Sequence, residues 1–181
     1  MSSSDPILVA GGDRDPNLLS LVATLEKRGD ELLFLQVGAD HHPWILWDLP
    51  GDRLVVDGRE IRPRAAFVRH DVFTNLADKR PASAHRAFAW YTTVVSWIAA
   101  HQEIRYLNRK SFDQGSLKPY ALHLARELGL AIPPTYVTNH MASLDRLEAG
   151  KPKIVKPVNG GAHTKKLPAF LYRDGAVGFS H

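Results

Sequence analysis

Two lysines stand beside sequence features that favour the binding of phosphate groups. Lys118 lies at the start of a predicted helix, and Lys156 lies at the end of a predicted strand, shortly before Gly160 and Gly161. A phosphate chain needs positive charge, nearby backbone N–H groups and little steric bulk, and the segment from Lys156 to Gly161 offers all three. A lysine before a glycine pair is also common in plain turns, so this segment gains weight only from its surroundings.

A second polar group, formed by Arg69, His70 and Asp71, follows a predicted strand. Side chains just beyond the carboxyl ends of strands often face ligands in open α/β sheets. The three residues are therefore candidates for binding a substrate carboxylate or a leader peptide. The alternative is a local ion pair at the end of the strand.

Other chemistries find little support in the residue types. The chain has no cysteine, which excludes disulfides, thiolate metal sites and a cysteine nucleophile. Asp40, His41 and His42 include common zinc ligands, but adjacent histidines in a strand point to opposite faces, so we favour a solvated loop and predict no metal site. Gly11 and Gly12 follow the first predicted strand without the full pattern of a dinucleotide-binding turn.

The elements that must position these residues begin as an alternation of strand and helix. Apolar runs and apolar residues at helical spacing predict strands at 7–10, 33–37 and 65–69 and helices at 15–28 and 82–101. Asp15 is the predicted N-cap of the first helix and Pro16 its first residue. Asp57 and Gly58 between extended segments predict a hairpin. The alternation predicts an α/β layer with a small open, mainly parallel sheet and flanking helices.

A change of composition at 109–115, which is polar and contains glycine, predicts a boundary between two regions. Beyond it the pattern predicts a helix at 117–129, a short helix at 142–148, a strand at 153–157, a turn at 160–161 and a hairpin at 170–179. We therefore predict a first domain at 1–107 and a second region at 108–181.

The order of the motifs after the boundary resembles the first subdomain of the ATP-grasp superfamily. The matching segments are Lys118, the helix end at 124–129, the Pro-Pro-Thr at 133–135, the Val-Lys-Pro at 155–157 and the glycine pair at 160–161. The resemblance covers about residues 108 to 168, and residues 1–107 would correspond to the α/β domain that commonly precedes the grasp. The amino-acid sequence of residues 132–139 and 160–165 is most similar to that of ligases that mature ribosomally made peptides, and to that of the ligase that adds glutamate to a ribosomal protein.

The resemblance implies an ATP-dependent ligase. In that family ATP phosphorylates a carboxylate, and an amine or hydroxyl attacks the acyl phosphate to give an amide or an ester; positioning and charge neutralisation dominate the catalysis. The resemblance assigns the ATP phosphates to Lys118 and Lys156 and the covering loop to Gly160, Gly161 and Thr164.

The resemblance also implies which parts of the family's machinery fall outside this sequence. His163 and Lys165 would be further phosphate contacts in the same loop. The family's second grasp subdomain, with the acidic and asparagine ligands of two magnesium ions, has no counterpart before His181. We therefore expect the isolated chain to be inactive, because magnesium stabilises the charge of the transition state. A homodimer is expected only by analogy with related ligases.

Composition leaves two other functions open. The formal net charge is +4, which suits a nucleotide triphosphate but also nucleic acid. The basic residues are scattered and no nucleic-acid-binding motif occurs, which disfavours nucleic acid. A non-catalytic peptide-binding module and a nucleotide or nucleic-acid binder remain the alternatives to a ligase. No signal peptide and no apolar run of about 18 residues are present, so we predict a cytoplasmic protein with no membrane partner.

Overall fold

The computed structural model of the chain describes residues 5–38, 43–69, 80–107, 109, 117–146, 152–158 and 165–166. The strands are β1 (Ile7–Gly12), β2 (Leu32–Val37), β3 (Ile45–Asp48), β4 (Arg53–Val56), β5 (Arg59–Glu60), β6 (Ala65–Val68), β7 (Arg105–Tyr106), β8 (Tyr136–Thr138), β9 (Ile154–Val155) and β10 (Lys165–Lys166). The α-helices are α1 (Pro16–Lys27), α2 (Pro81–Ala100) and α3 (Lys118–Glu127), and a 3₁₀ helix spans Met141–Arg146.

A four-stranded parallel sheet in the order β2-β1-β6-β7 forms the first layer, as the alternation of strand and helix predicts. Successive residues of β1 face opposite sides of this sheet. Leu8 and Ala10 belong to the main hydrophobic cluster, whereas Val9 packs with Leu18 and Val22 of α1. The sheet is therefore covered by α1 on one face and by the main cluster on the other.

A second, antiparallel sheet in the order β5-β4-β3-β8 packs into the main cluster from the other side. Its predicted hairpin is confirmed, because Val56 pairs with Arg59 across the two turn residues. Asp57 has a φ of 47° and Gly58 a φ of 84°. Left-handed backbone at both central residues is what a two-residue hairpin turn requires, and Asp-Gly meets that requirement.

Strand β8 joins this sheet from beyond the predicted boundary at 107/108. Trp47 of β3 pairs with Val137 of β8. Asn139 continues the pairing with its side chain: Oδ1 accepts a hydrogen bond from the Ile45 backbone N–H (2.7 Å), and Nδ2 donates to the Pro43 carbonyl (3.1 Å). The division into 1–107 and 108–181 stays a prediction, while this sheet is built from strands of both regions.

The remaining elements follow the predicted order. Helix α3 lies where the apolar spacing predicts it, and the short helix at 141–146 is a 3₁₀ helix. Strands β9 and β10 pair antiparallel, with Lys165 opposite Val155. The hairpin predicted at 170–179 lies outside the described residues. Among the described residues, no helix combines the length and the apolarity needed to cross a membrane.

Candidate functional site

The chain connections of the parallel sheet run in opposite directions from the carboxyl ends of β1 and β6. The chain leaves β1 through α1 to reach β2 on one side, and β6 lies on the other side of β1. Connections that run in opposite directions from neighbouring strands leave a crevice at their carboxyl ends, where open α/β sheets bind ligands. Arg69, which directly follows β6, lies at this edge.

The side chain of Arg69 is held by a buried carboxylate that lies in the connection between β1 and α1. Its Nε lies 2.9 Å from Oδ2 of Asp15, whose side chain is 3% exposed. The other oxygen of Asp15 accepts a hydrogen bond from the Asn17 backbone N–H (3.0 Å) and so caps α1. The Arg69 backbone N–H also donates to the Ala10 carbonyl (3.1 Å). The ion pair fixes the guanidinium at the sheet edge, and a ligand-binding role for Arg69 stays a prediction.

Tyr106 of β7 adds a neutral donor close to this edge. Its hydroxyl donates to the carbonyl of Val68, the last residue of β6 (3.4 Å). Burial raises the pKa of Tyr106 well above its ordinary value, with a smaller contribution from Tyr91. The phenol therefore keeps its proton and remains a donor throughout the physiological range.

Replacing Asp15 by alanine is expected to lower the free energy of unfolding by about 2 kcal/mol. The change removes an N-cap worth about 1 kcal/mol and leaves Arg69 without its buried partner. Urea denaturation monitored by circular dichroism measures the loss. Asp15→Ser keeps a capping oxygen and is expected to recover about half of it; an equal loss in both variants would contradict a role in capping.

Lys118 is an exposed residue at the amino end of α3. Pro119 follows it in the first turn, where its missing N–H costs no helical hydrogen bond. Leu122, one turn further on, packs against the main hydrophobic cluster. Helix α3 therefore presents Lys118 at its solvent-facing start while its body is anchored to the core.

Lys156 is exposed and directly follows β9. Val158, two residues later, packs against the same main hydrophobic cluster as Leu122 of α3. The two lysine-bearing segments are thus both anchored to the main hydrophobic cluster. Whether the two ammonium groups converge on a single ligand stays a prediction.

The β9–β10 register adds Lys166, which the sequence interpretation does not include. Lys166 pairs with Ile154, which is 62% exposed, so both lie on one face of the hairpin. Lys156 follows β9 directly, and both Lys156 and Lys166 are exposed, so we expect strand alternation to bring them to one face. Lys165, named from the sequence, pairs with Val155. Only the pairing register reveals this, since either lysine fits the sequence equally well.

Six of the predicted site residues lie outside the described residues. Four belong to the predicted loop, namely Gly160, Gly161, His163 and Thr164, and two follow Arg69, namely His70 and Asp71. The glycine pair belongs to the connection between the antiparallel strands β9 and β10. Within the described part of the chain, no group of three or more histidine or acidic side chains is arranged to hold a metal ion.

Solved structures of an ATP-grasp ligase are similar to this chain. The chain is 27% identical to "ATP-grasp ligase PsnB complexed with precursor peptide PsnA2 and AMPPNP", over 96% of this chain and 61% of that chain, with a TM-score of 0.44. For the PsnB complex with a minimal precursor, Mg and ADP, the identity is 27%, the match covers 96% of this chain and 61% of that chain, and the TM-score is 0.44. For the complex with a minimal precursor, the identity is 28%, the match covers 96% of this chain and 59% of that chain, and the TM-score is 0.43.

The chain spans about three fifths of the length of the solved chains it matches. No protein-family model and no curated protein sequence matches it.

Proposed function

We propose that this chain provides part of the nucleotide-binding half of an ATP-dependent carboxylate–amine ligase that modifies a ribosomally made peptide. The observation that carries the proposal is the ordered set of motifs from Lys118 to Gly161. It is supported by the β9–β10 register, which places Lys166 opposite Ile154, two residues before Lys156. The resemblance of residues 132–139 and 160–165 to peptide-maturing ligases supports a peptide substrate.

In the proposed reaction, a carboxylate oxygen attacks the γ-phosphorus of ATP, and the bond to the β-γ bridging oxygen breaks to release ADP. An amine then attacks the carbonyl carbon of the acyl phosphate, and inorganic phosphate leaves as the amide forms and the nitrogen loses a proton. The same scheme with a hydroxyl gives an ester. Phosphoryl transfer of this kind depends mainly on positioning and on neutralising phosphate charge.

The described residues would contribute to the first of these steps. Lys118 and Lys156 would bind phosphate oxygens as charged donors, and Lys166 would add positive charge on the same face of the hairpin as Lys156. Bound magnesium would neutralise part of the phosphate charge. We assign no magnesium ligand among the described residues.

Replacing Lys156 by alanine is expected to raise the Kd for AMPPNP about 10- to 100-fold. A hydrogen bond to a charged group contributes about 1.5 to 3 kcal/mol, and each 1.4 kcal/mol is a factor of ten in Kd. Isothermal titration calorimetry with the purified chain measures the change. Lys27→Ala, which removes an exposed lysine from the end of α1, is the matched control and is expected to bind AMPPNP as the unmodified chain does.

Two results would count against the proposal. An unchanged Kd in Lys156→Ala would remove Lys156 from the phosphate site. Binding to arbitrary DNA with a steep dependence on salt, in the absence of AMPPNP binding, would favour the nucleic-acid alternative. PsnB, whose solved complexes include AMPPNP, is a suitable positive control for the titration.

A further inference from the structure

Strand β2 lies at an edge of the parallel sheet and lacks the features that usually protect such an edge. It pairs with β1 on one side, and among the described residues no strand pairs with its other side. Its six residues, Leu32–Val37, include no charged residue, no proline and no glycine. Edge strands are normally short or carry charges, proline or a bulge, because an open row of backbone N–H and C=O groups can pair with another chain.

The other edges of the two four-stranded sheets are protected in these ways. Strand β7 has two residues, one of which is Arg105. Strand β5 also has two residues, Arg59 and Glu60, and both are charged. Strand β8 has three residues. Among the edges that the structure describes in these sheets, β2 is therefore the one that is both long and uncharged, and it is the edge at which a further strand fits.

The hydrogen bonds to β1 determine which backbone groups of β2 face outward. The Ile7 backbone N–H donates to the Glu31 carbonyl (2.8 Å), and the Asp13 backbone N–H donates to the Val37 carbonyl (3.1 Å). Because successive residues of a strand point in opposite directions, the odd-numbered residues of β2 bond β1 and the even-numbered residues do not. The residues that direct their N–H and C=O groups away from β1 are Leu32, Phe34 and Gln36.

The side chains beside this open edge also leave apolar surface uncovered. Leu32 and Phe34 pack against the cluster that α1 forms with β1, but both remain half-buried. A strand added along β2 would place a side chain directly beside each of them. Pairing at this edge would therefore bury apolar surface in addition to satisfying backbone groups.

We propose that β2 pairs with β2 of a second copy of this chain, antiparallel and about a two-fold axis at Phe34. In this register Phe34 lies opposite Phe34 of the second copy, and Leu32 lies opposite Gln36 of the second copy. Outward-facing residues that lie opposite each other in an antiparallel ladder exchange two backbone hydrogen bonds, so the three residue pairs make six. Every outward N–H and C=O group of both strands then has a partner.

The charges next to β2 favour the antiparallel arrangement. Asp30 and Glu31 directly precede the strand, so a parallel arrangement would place the acidic residues of the two copies side by side. In the antiparallel register Glu31 lies opposite Val37 of the second copy, and Asp30 lies opposite Gly38. No like charges then face each other, and like charges directly opposite would destabilise the pairing.

A second copy suits this edge better than an unrelated extended peptide. The two strands have equal length, and their outward groups match in one register that leaves none of them unpaired. The aromatic pair at the axis adds a cross-strand contact of a kind that stabilises sheets. A two-fold contact uses the same surface of both copies, so it closes as a dimer and does not grow into a fibre.

Hydrogen exchange of the unmodified chain at increasing protein concentration tests the proposal. The amides of Leu32, Phe34 and Gln36 are expected to exchange rapidly in the dilute chain and to gain protection as the concentration rises. The amides of Leu33 and Leu35 bond β1 and are expected to be protected throughout. Sedimentation equilibrium of the same samples is expected to show a rise from the mass of one chain toward the mass of two.

Gln36→Pro removes an outward N–H without removing a hydrogen bond to β1, and proline is tolerated at edge positions of this kind. Each dimer loses two donors, so the Kd of the dimer is expected to rise about 10- to 100-fold. Glu60→Pro is the matched control. The Ile61 backbone N–H donates to the Leu54 carbonyl (2.9 Å), so the N–H of Glu60 faces the outer edge of β5. This control is expected to leave the Kd of the dimer unchanged.

Several results would overturn the proposal. One is a chain that stays monomeric at every concentration, and another is a dimer in which the outward amides of β2 gain no protection. Protection of these amides in the dilute monomer, or only after an alternating Thr-Val peptide is added, would assign the edge to another strand. Equal weakening by both proline variants would also count against it. The exchange pattern decides the question even if Gln36→Pro does not fold, because it is read in the unmodified chain.

Discussion

Replacing Trp47 by alanine is expected to lower the free energy of unfolding by about 3 to 5 kcal/mol, the usual range for removing a buried aromatic side chain. Trp47 is fully buried in β3 and pairs with Leu54 of β4 on one side and Val137 of β8 on the other. Its ring lies 5.9 Å from that of His123. One side chain therefore supports the antiparallel sheet and the packing of α3, and urea denaturation of the variant measures its contribution.

Two further variants test whether this loss comes from removing an aromatic ring or from the place of that ring in the core. Trp47→Phe keeps an aromatic ring and removes an N–H that is buried without a hydrogen-bond partner among the described residues, so a smaller loss is expected. Trp44→Ala removes a half-buried ring that stacks on His140 at 4.8 Å and is expected to cost about 1 kcal/mol. A loss in Trp47→Ala no larger than that in Trp44→Ala would show that β3 is not the centre of the core.

The local elements are the part of this fold that the sequence predicts well. Asp15 and Pro16 specify the start of α1 because the cap and the fixed backbone of proline act within a few residues. Asp57 and Gly58 specify a hairpin for the same reason. Apolar residues at helical spacing predict α2, where Ala87, Trp90, Val94, Val95 and Ile98 are all buried. Helix α3 also forms where helical spacing predicts it, although its buried residues are Pro119 and His123 and Leu124 is 42% exposed. In each case the determining residues are neighbours along the chain.

Pairings between distant segments are the part that the sequence could not supply. Strand β8 pairs with β3, and the side chain of the following residue, Asn139, bonds the backbone of Pro43 and Ile45. Neither segment contains a sequence signal that specifies the other. The face on which Lys166 lies depends on the β9–β10 register. A one-residue slip would exchange it with Lys165.

The candidate site shows the same division between local and distant information. The sequence allowed Arg69 either a ligand or a local ion pair, and its observed partner is Asp15, far earlier in the chain. The fold brings Asp52 close to both His101 and His123, which come from other parts of the chain. No spacing rule connects these residues, because the fold alone brings them together.

Arg109 is a residue whose role the sequence interpretation missed, because it lies in a polar segment taken as a boundary. Its guanidinium donates to the carbonyls of Ile98 (2.7 Å), His101 (3.2 Å) and Ile104. These carbonyls lie at and just beyond the carboxyl end of α2, where carbonyl groups lack helical partners and a cation is favoured by the helix dipole. Arg109 therefore closes α2 and fixes the start of the segment that leads to α3.

Arg109→Ala is expected to lower the free energy of unfolding by about 3 to 4 kcal/mol, because several partly buried carbonyls lose a charged donor at once. Arg109→Lys is expected to recover less than half of this loss, since an ammonium group cannot reproduce the planar fork that spans three acceptors. Urea denaturation of both variants, with hydrogen exchange of the last turn of α2, measures the effect. Full recovery in Arg109→Lys would mean that charge near the helix end matters and the fork geometry does not. A loss below about 1 kcal/mol in Arg109→Ala would mean that solvent replaces the guanidinium without cost.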